Sequence, residues 1–535
     1  MAKYHSVDMF HTAIDFGTTN TVVYTVVGEE LREIDILQGK PLVPTILVPG
    51  KEEITWKTSS NKEVHCIKLL LGRTLKDLEF CGLDTNKFGA ELVEQDREIC
   101  VKDGEKTYPV TDMVSTFFKQ IKKLSEGRLR MKSSDKLYLS VPTRFNSPQR
   151  NALVKATNQA GFTEVHLINE PTAAALGYIK DFNLKSDETV LVYDFGGGTF
   201  DVSILRLSNQ GTNISVIATG GDNNTGGERI DYDLGQKLVE QFKSEHPNAA
   251  FKNRERNRGA YGKFEKSVCG AKESMTADSQ NFTISFGDIL TKKTLEEMEE
   301  EEESTSIELT ASMLDEIEQK YVDKSMEIVR ATLHRAFPTV PLDQLAEKIT
   351  MVLPVGGASS MTCVKQSLTD YFGKEKVKIV EKPKWLTVRG CAYMMKGEQL
   401  TEITVRECTS YDYGFRCSND SFECVIPKGT SIPLEKPFLK LFKTRKSDQT
   451  IVRTYLCEGD AENSKEINKS FTSEEIEIDI SLLKQKEEKC FQFYLSLGID
   501  GNGIFEVEAL TYPEKDIFWK KQMEMNKKYE CGSKR

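Results

Sequence analysis

One local pattern occurs twice in the chain. The first copy reads Thr12-Ala-Ile-Asp15-Phe-Gly17-Thr18-Thr19-Asn20-Thr-Val-Val-Tyr24. The second reads Val190-Leu-Val-Tyr-Asp194-Phe-Gly196-Gly197-Gly198-Thr199-Phe-Asp201-Val-Ser-Ile-Leu205. In each, a β-rich apolar run ends in Asp, a turn of small residues follows, and a second β-rich run leads away. That predicts a β-hairpin tipped with Gly and Thr. Such a tip leaves backbone N–H groups and hydroxyls open to an anion, because few side-chain atoms stand in the way. The Asp at the end of each strand offers hard oxygen, suited to holding Mg²⁺ through its waters. One hairpin of this kind is compatible with an ordinary tight turn. Two copies constrain the fold much further: a duplicated domain facing itself, able to clamp a polyphosphate and its metal from both sides.

Other phosphate cradles are missing from the sequence. It holds no G-x-x-x-x-G-K-[ST] and no G-x-G-x-x-G opening a helix, so P-loop and dinucleotide-binding readings both fail. Further along, Ile349-Thr-Met-Val-Leu-Pro-Val-Gly356-Gly357-Ala358-Ser-Ser360 predicts a buried strand, a glycine pair and then a helix over Met361 to Tyr371. The carboxyl end of such a strand is where α/β sheets bind ligands, although a plain strand–helix turn has the same pattern.

Composition narrows the partners. A chain of 535 residues has room for about three to five globular units. A net charge of −10 opposes a broad nucleic-acid or anionic-membrane face. No apolar run approaches the ~18 residues of a membrane span, and Met1 to Thr12 lacks a signal-like apolar stretch. The 12 cysteines form no C-x-x-C pair and have no His at zinc-finger spacing, which implies reduced thiols and a cytoplasmic compartment. The run Glu296 to Glu303 is expected to be a solvated loop or helix end.

Taken together, the motifs resemble those of the actin-like ATPase superfamily, and within it the seventy-kilodalton heat-shock chaperones. Asp15 to Asn20 is similar to the first phosphate motif of that family and Asp194 to Asp201 to the second. Ile168-Asn-Glu170-Pro-Thr-Ala-Ala-Ala175 resembles the connecting segment, and Val355-Gly-Gly-Ala358 the adenosine motif. Lys68-Leu-Leu-Leu-Gly-Arg73, Val141 to Arg150 and Gly226-Gly-Glu228 match in order, so the likeness covers about residues 11–395. It continues in Val425 to Pro433 and Gly498 to Val507, which resemble strands of the family's peptide-binding β-sandwich. The divergent branch called heat-shock protein 70 member 12 is the nearest subgroup by this resemblance.

The resemblance implies an α/β fold with a duplicated actin-like (ribonuclease H-like) ATPase domain over residues 1–395 and a linker over 396–407. It further implies a β-sandwich over 408–512 and a short helical tail over 513–535, with the family's helical lid missing or vestigial. ATP or ADP with Mg²⁺ would be the ligands. Asp15, Asp194 and Glu170 would hold the metal. Lys68, Glu170, Asp194 and Thr199 would serve hydrolysis. Gly17, Thr18, Thr19, Asn20, Gly196, Gly197, Gly198, Gly227, Glu228, Lys272, Thr276, Gly356, Gly357 and Ala358 would contact the nucleotide.

The chain departs from the family on the nucleoside side. Cys269 stands where the family has an acidic ribose contact and Glu273 where it stacks an arginine; Ala358 and Ser360 replace a Ser and an Arg. A carboxylate cannot reproduce guanidinium stacking. The linker stretch, with Leu400, Ile403 and Val405 as its apolar positions, fits either an apolar docking segment or a plain edge strand. Three functions are compatible with these residues. One is an ATP-dependent chaperone that binds unfolded or extended polypeptide and works with co-chaperones and nucleotide-exchange factors. A second is a nucleotide-sensing binding or scaffold protein with weak or no ATPase and no refolding activity. A third is a metabolite kinase on the same fold, which the C-terminal sandwich opposes.

Overall fold

A computed structural model of the chain describes residues 9–27, 30–37, 39–51, 63–182, 184, 187–209, 212–275, 281–301, 303–400, 404–417, 421–432, 434, 436, 438–444, 446, 448–459, 472–481, 483, 490–497, 504–511 and 517–524. Both sequence copies form the hairpins their composition predicts. Strand Met9–Phe16 runs antiparallel to Asn20–Val27, with Phe16 opposite Thr21. Strand Glu188–Phe195 runs antiparallel to Phe200–Ser208, with Phe195 opposite Phe200 and Asp194 opposite Asp201. All four strands are rich in β-branched and aromatic residues, and their apolar side chains are buried on both faces, as expected for central strands covered on either side.

The surrounding sheets repeat the same order. In the first lobe the strands run Glu30–Glu33, Asn20–Val27, Met9–Phe16, Lys132–Val141 and Glu164–Asn169. The last two are parallel to the hairpin's first strand and to each other. In the second lobe the order is Asn213–Asp222, Phe200–Ser208, Glu188–Phe195 and Met351–Val355, again with a parallel final strand. The fifth strand survives there only as a bridge between Val352 and Val377. Pro354, unable to donate to a ladder, lies beyond that bridge, where the strand has become an edge.

Each lobe inserts an extra layer. The first inserts a three-stranded sheet over Glu91–Pro109 and the helix Val110–Leu129. The second inserts helices Gly227–Glu245 and Arg258–Ser274 with a small hairpin, Phe282–Ser285 and Ser306–Leu309. The acidic run ends helix Lys292–Glu300, whose Lys292 and Lys293 pair with Glu296 and Glu297, so its carboxylates are solvated as expected. Helix Pro383–Leu400 packs on helix Glu170–Asp181, and Gly390 lies so close to Ala173 that no Cβ fits between them.

Of the stretch expected as a linker, residues 396–400 end helix Pro383–Leu400, 401–403 lie outside the described residues, and Thr404–Cys408 is a strand that runs parallel to Asn213–Asp222 and pairs on its other side with Ser431–Ile432. Of the three apolar positions, Ile403 lies outside the described residues; the strand reading is the one that forms, with pairing on both sides rather than at an edge. Beyond it, two four-stranded antiparallel sheets face each other. One is Phe422–Ile426, Asp412–Arg416, Ile451–Gly459 and Thr472–Asp479; the other is Phe438–Lys443, Cys490–Leu497, Ile504–Thr511 and Ile517–Glu524. Phe415, Leu456, Ile476, Ile478 and Ala509 share the core between them. Leu497 pairs with Phe505, so the hairpin read from Gly498 to Val507 forms, while its turn at 498–503 lies outside the described residues.

One expectation is corrected. The helical tail expected after Pro513 is instead a strand: Ile517–Glu524 pairs with Ile504–Thr511, and no helix follows Leu400 among the described residues. The tail's charged and aromatic residues fit a helix locally, but an open sheet edge beside them supplies a ladder of backbone partners. The sandwich therefore extends past residue 512. The ten cysteines from Cys66 to Cys457 are free thiols.

Candidate functional site

The two hairpin tips meet at the floor of a cleft of about 1030 Å³ between the lobes, at the upper end of the usual size for small-molecule sites. Contact between the tips explains their unequal composition. A Cβ on Gly198 would stand 2.8 Å from Thr18, and one on Gly197 would strike the Thr19 hydroxyl. The second tip is bare because the first is not. Behind it, Gly227 and Glu228 donate their N–H groups to the Gly196 and Gly197 carbonyls at 3.0 and 2.8 Å. A Cβ on Gly226 would lie 2.7 Å from backbone carbons of Gly197 and Gly198. The Thr19 hydroxyl donates across to Glu228 Oε1 at 3.1 Å, joining first tip to second lobe.

Four carboxylates converge below the tips: Asp15 and Asp194 at the strand ends, Glu170 at the start of helix Glu170–Asp181, and Asp201 opposite Asp194. Lys68, with its side chain only 3% exposed, reaches Glu170 Oε1 at 2.6 Å and lies 5.9 Å from the Phe16 ring centroid. Glu170 benefits from its place in a first helical turn, where the helix dipole favours negative charge. Ser140, at the end of the neighbouring parallel strand, donates to Asp15 Oδ1 at 2.6 Å.

One lysine cannot balance this many acids. Burial first, then Glu170, pushes the Asp15 carboxyl up to about 6, against the opposing pull of Lys68 and Ser140. Burial and Glu170 push Asp201 to about 7. Asp194 is raised well above the ordinary carboxylate value by burial, then by Glu170, Asp201 and Asp15. Asp201 Oδ1 is buried with no hydrogen-bond partner. Such a cluster is short of positive charge, which a divalent cation would supply. Among the described residues no three His, Cys, Asp or Glu side chains converge closely enough to chelate an ion directly. The donor set therefore fits Mg²⁺ retained with its water shell, the state Mg²⁺ favours because it dehydrates reluctantly.

The expected residues fall on this cleft with two exceptions. Asp15, Gly17, Thr18, Thr19, Asn20, Lys68, Glu170, Asp194, Gly196, Gly197, Thr199, Gly227, Glu228, Lys272, Gly356, Gly357 and Ala358 all line it. Gly198 is not on the lining: it packs against Thr18 and Leu69. Thr276 lies outside the described residues. Gly356 has φ +81°, and a Cβ there would sit 2.5 Å from Asp194 Oδ1, so the glycine pair abuts the carboxylate cluster.

On the nucleoside side Cys269 and Glu273 both line the cleft, Glu273 at its exposed rim. Lys272 pairs with Asp231 at 2.6 Å and donates to the Gly227 carbonyl at 3.2 Å. Asp231 belongs to no motif in the sequence. Its spacing from Glu228, one turn along helix Gly227–Glu245, is the one signal that points to it. Ser140 and Asp201 also join the site beyond the expected set, although Asp201 closes the second phosphate motif.

A buried polar bridge joins this site to the sandwich. Glu458 of strand Ile451–Gly459 accepts from Ser147 N and Oγ at 2.7 and 2.9 Å. Arg150, on the same first-lobe helix as Ser147, donates to Asn169 Oδ1 at 2.8 Å, and Asn169 immediately precedes Glu170. Thr172 donates to Glu407 of the linker strand at 2.7 Å, and the Tyr411 hydroxyl donates to the Arg144 carbonyl at 2.6 Å.

Comparison with known proteins agrees with these features. A model of the Hsp70 protein family matches residues 12–531. The chaperone protein DnaK of Stenotrophomonas maltophilia (strain R551-3) is 28% identical over 515 residues, covering 93% of this chain and 76% of that protein. No described helix is long and apolar enough to cross a membrane.

Proposed function

The chain belongs to the Hsp70 family, and from that premise we propose that it is an ATP-dependent chaperone-like protein whose cleft hydrolyses ATP with Mg²⁺ and whose sandwich binds unfolded or extended polypeptide. The observation that carries the reading is the meeting of two phosphate-type hairpins above four clustered carboxylates, two of them buried, and one buried lysine. In phosphoryl transfer to water, the protein contributes positioning and charge stabilisation more than covalent chemistry. The tip amides and the hydroxyls of Thr18, Thr19 and Thr199 would hold phosphate oxygens. Mg²⁺, when bound, would neutralise phosphate charge and polarise the phosphoryl oxygens. Asp15, Asp194 and Glu170 would fix its water shell. Lys68 would orient the attacking water and stabilise charge on the transferred group.

Coupling to the sandwich is supported by the bridge from Glu458 through Ser147 and Arg150 to Asn169. Any tilt of the sandwich would move a helix that bears on the residue before Glu170. Co-chaperones and nucleotide-exchange factors are the proposed further partners, and the cytoplasm the proposed compartment.

The direct test is ATP hydrolysis with Mg²⁺ and with EDTA. Mg²⁺-dependent turnover supports the reading. Hydrolysis that ignores the metal, or none under single-turnover conditions, would contradict it.

A further inference from the structure

Nine carboxylates line the cleft against four lysines, so the wall that would receive a polyanion is itself acidic on balance. Three of those lysines are already neutralised. Lys68 pairs with Glu170 at 2.6 Å, Lys272 with Asp231 at 2.6 Å, and Lys266 with Glu63 at 2.5 Å. The fourth is Lys384, the second residue of helix Pro383–Leu400. It is half-buried and has no ion pair or hydrogen bond among the described residues. Taking an ammonium partly out of water without a counter-ion costs free energy that no described residue returns.

Its position is specific. The Lys384 stem lies against the glycine pair: a Cβ on Gly357 would stand 3.0 Å from Lys384 Cε and 3.5 Å from Nζ. One residue earlier, Gly356 abuts Asp194 Oδ1. One residue later, Ala358 faces Gly227, whose Cβ position lies 3.5 Å from Lys272 Nζ. The unpaired ammonium thus stands beside the glycine pair, flanked by the carboxylate cluster on one side and the Lys272–Asp231 pair on the other. A nucleotide's phosphate chain, where it leaves the sugar, carries the charge that such a place lacks.

We propose that Lys384 is a nucleotide-binding residue that supplies the counter-charge for the phosphates next to the ribose, opposite the hairpin tips. This assignment rests on the nucleotide reading of the cleft. It gives the altered nucleoside side a cation that the carboxylate Glu273 cannot provide. The alternative is that the stem merely covers Gly357.

Calorimetric titration of the full chain separates the two, using MgADP and adenosine as probes and the variants Lys384→Met and Lys384→Arg. Methionine keeps the stem and removes the charge. The expected result is a roughly tenfold weaker MgADP affinity in Lys384→Met with adenosine binding unchanged, the size of one charge-assisted hydrogen bond lost. Lys384→Arg should stay within about threefold of wild type, and the salt dependence of MgADP binding should be shallower in Lys384→Met. Unchanged MgADP affinity in Lys384→Met, or equal weakening of both probes, would overturn the assignment while leaving the cleft a nucleotide site. A wild type that binds neither probe would overturn the nucleotide reading itself, and this assignment with it.

Discussion

The first hairpin meets the cleft with two threonines, Thr18 and Thr19, whereas the second meets it with two glycines, Gly196 and Gly197, and a single hydroxyl at Thr199. Backbone pairing is alike in both, and each first strand carries an acid, Asp15 or Asp194, just before its last residue. The difference arises where the tips touch: space occupied by the threonine side chains is denied to the other tip. The two hairpins thus share their strands and an Asp while their turns fit each other as a complementary pair. The lobes also differ at their outer faces. The second takes up the linker strand beside Asn213–Asp222, whereas the first receives the sandwich through helix Ser147–Gln159.

The largest expected effect separates the two acids. Asp194 has Asp201 behind it and the glycine pair against it, so Asp194→Asn should lower Mg²⁺-dependent hydrolysis by more than about 100-fold. Folding should be intact by circular dichroism, because a buried like charge is removed at nearly constant volume. Asp15→Asn, where Ser140 can still hydrogen-bond the amide, should cost less. Equal losses in the two variants would break the asymmetry between hairpins.

Gly226→Ala comes next. Its Cβ would press on rigid backbone of the second tip. Overpacking of this kind costs roughly 1–3 kcal/mol, to be read as a lower thermal midpoint and weaker MgADP binding. Thr18→Ala, which only vacates space at the first tip, should be nearly silent in stability.

The carboxylate cluster sets the third effect. With Asp15 raised to about 6 and Asp201 to about 7, the folded state holds protons that the unfolded chain releases near 3.8. The stability these groups contribute is greatest below 3.8 and is lost as pH rises through 6 and 7. Each group loses at most about 1.4 kcal/mol for every pH step of one in that window. Nucleotide-free protein should therefore lose thermal stability across it. Saturating MgADP should flatten the loss. A nucleotide-free midpoint that rises from pH 5 to pH 8 would show that the acids are already balanced.

The smallest effect lies at the rim. Glu273 is exposed, so Glu273→Arg should gain only the stacking energy of an exposed cation on a base, about 0.5–1 kcal/mol, or roughly two- to fivefold in ATP affinity. Preference for ATP over GTP should rise with it. No change in either would place the base beyond reach of this residue.

What could be read in the sequence follows the range of the forces involved. The hairpins were legible because an acid, a small-residue turn and two β-branched runs specify a hairpin within about a dozen residues. Lys68 was legible only through family resemblance; a lysine beside three leucines does not by itself announce a buried partner 102 positions away. Lys384 and Asp231 carry no motif, since their standing depends on which neighbours the fold leaves paired. The tail misled for the same reason: Ile517–Glu524 has no decisive local period, and the strand Ile504–Thr511 beside it decides the outcome.

The central claim is that nucleotide turnover in the cleft and polypeptide binding in the sandwich are one coupled process, joined at Glu458. Single-turnover ATP hydrolysis with and without an unfolded polypeptide tests it most directly, in wild type and in Glu458→Ala. The expected result is stimulation in wild type, with basal Mg²⁺-dependent turnover but no stimulation in Glu458→Ala. Wild-type hydrolysis that is metal-dependent yet indifferent to polypeptide would contradict the account.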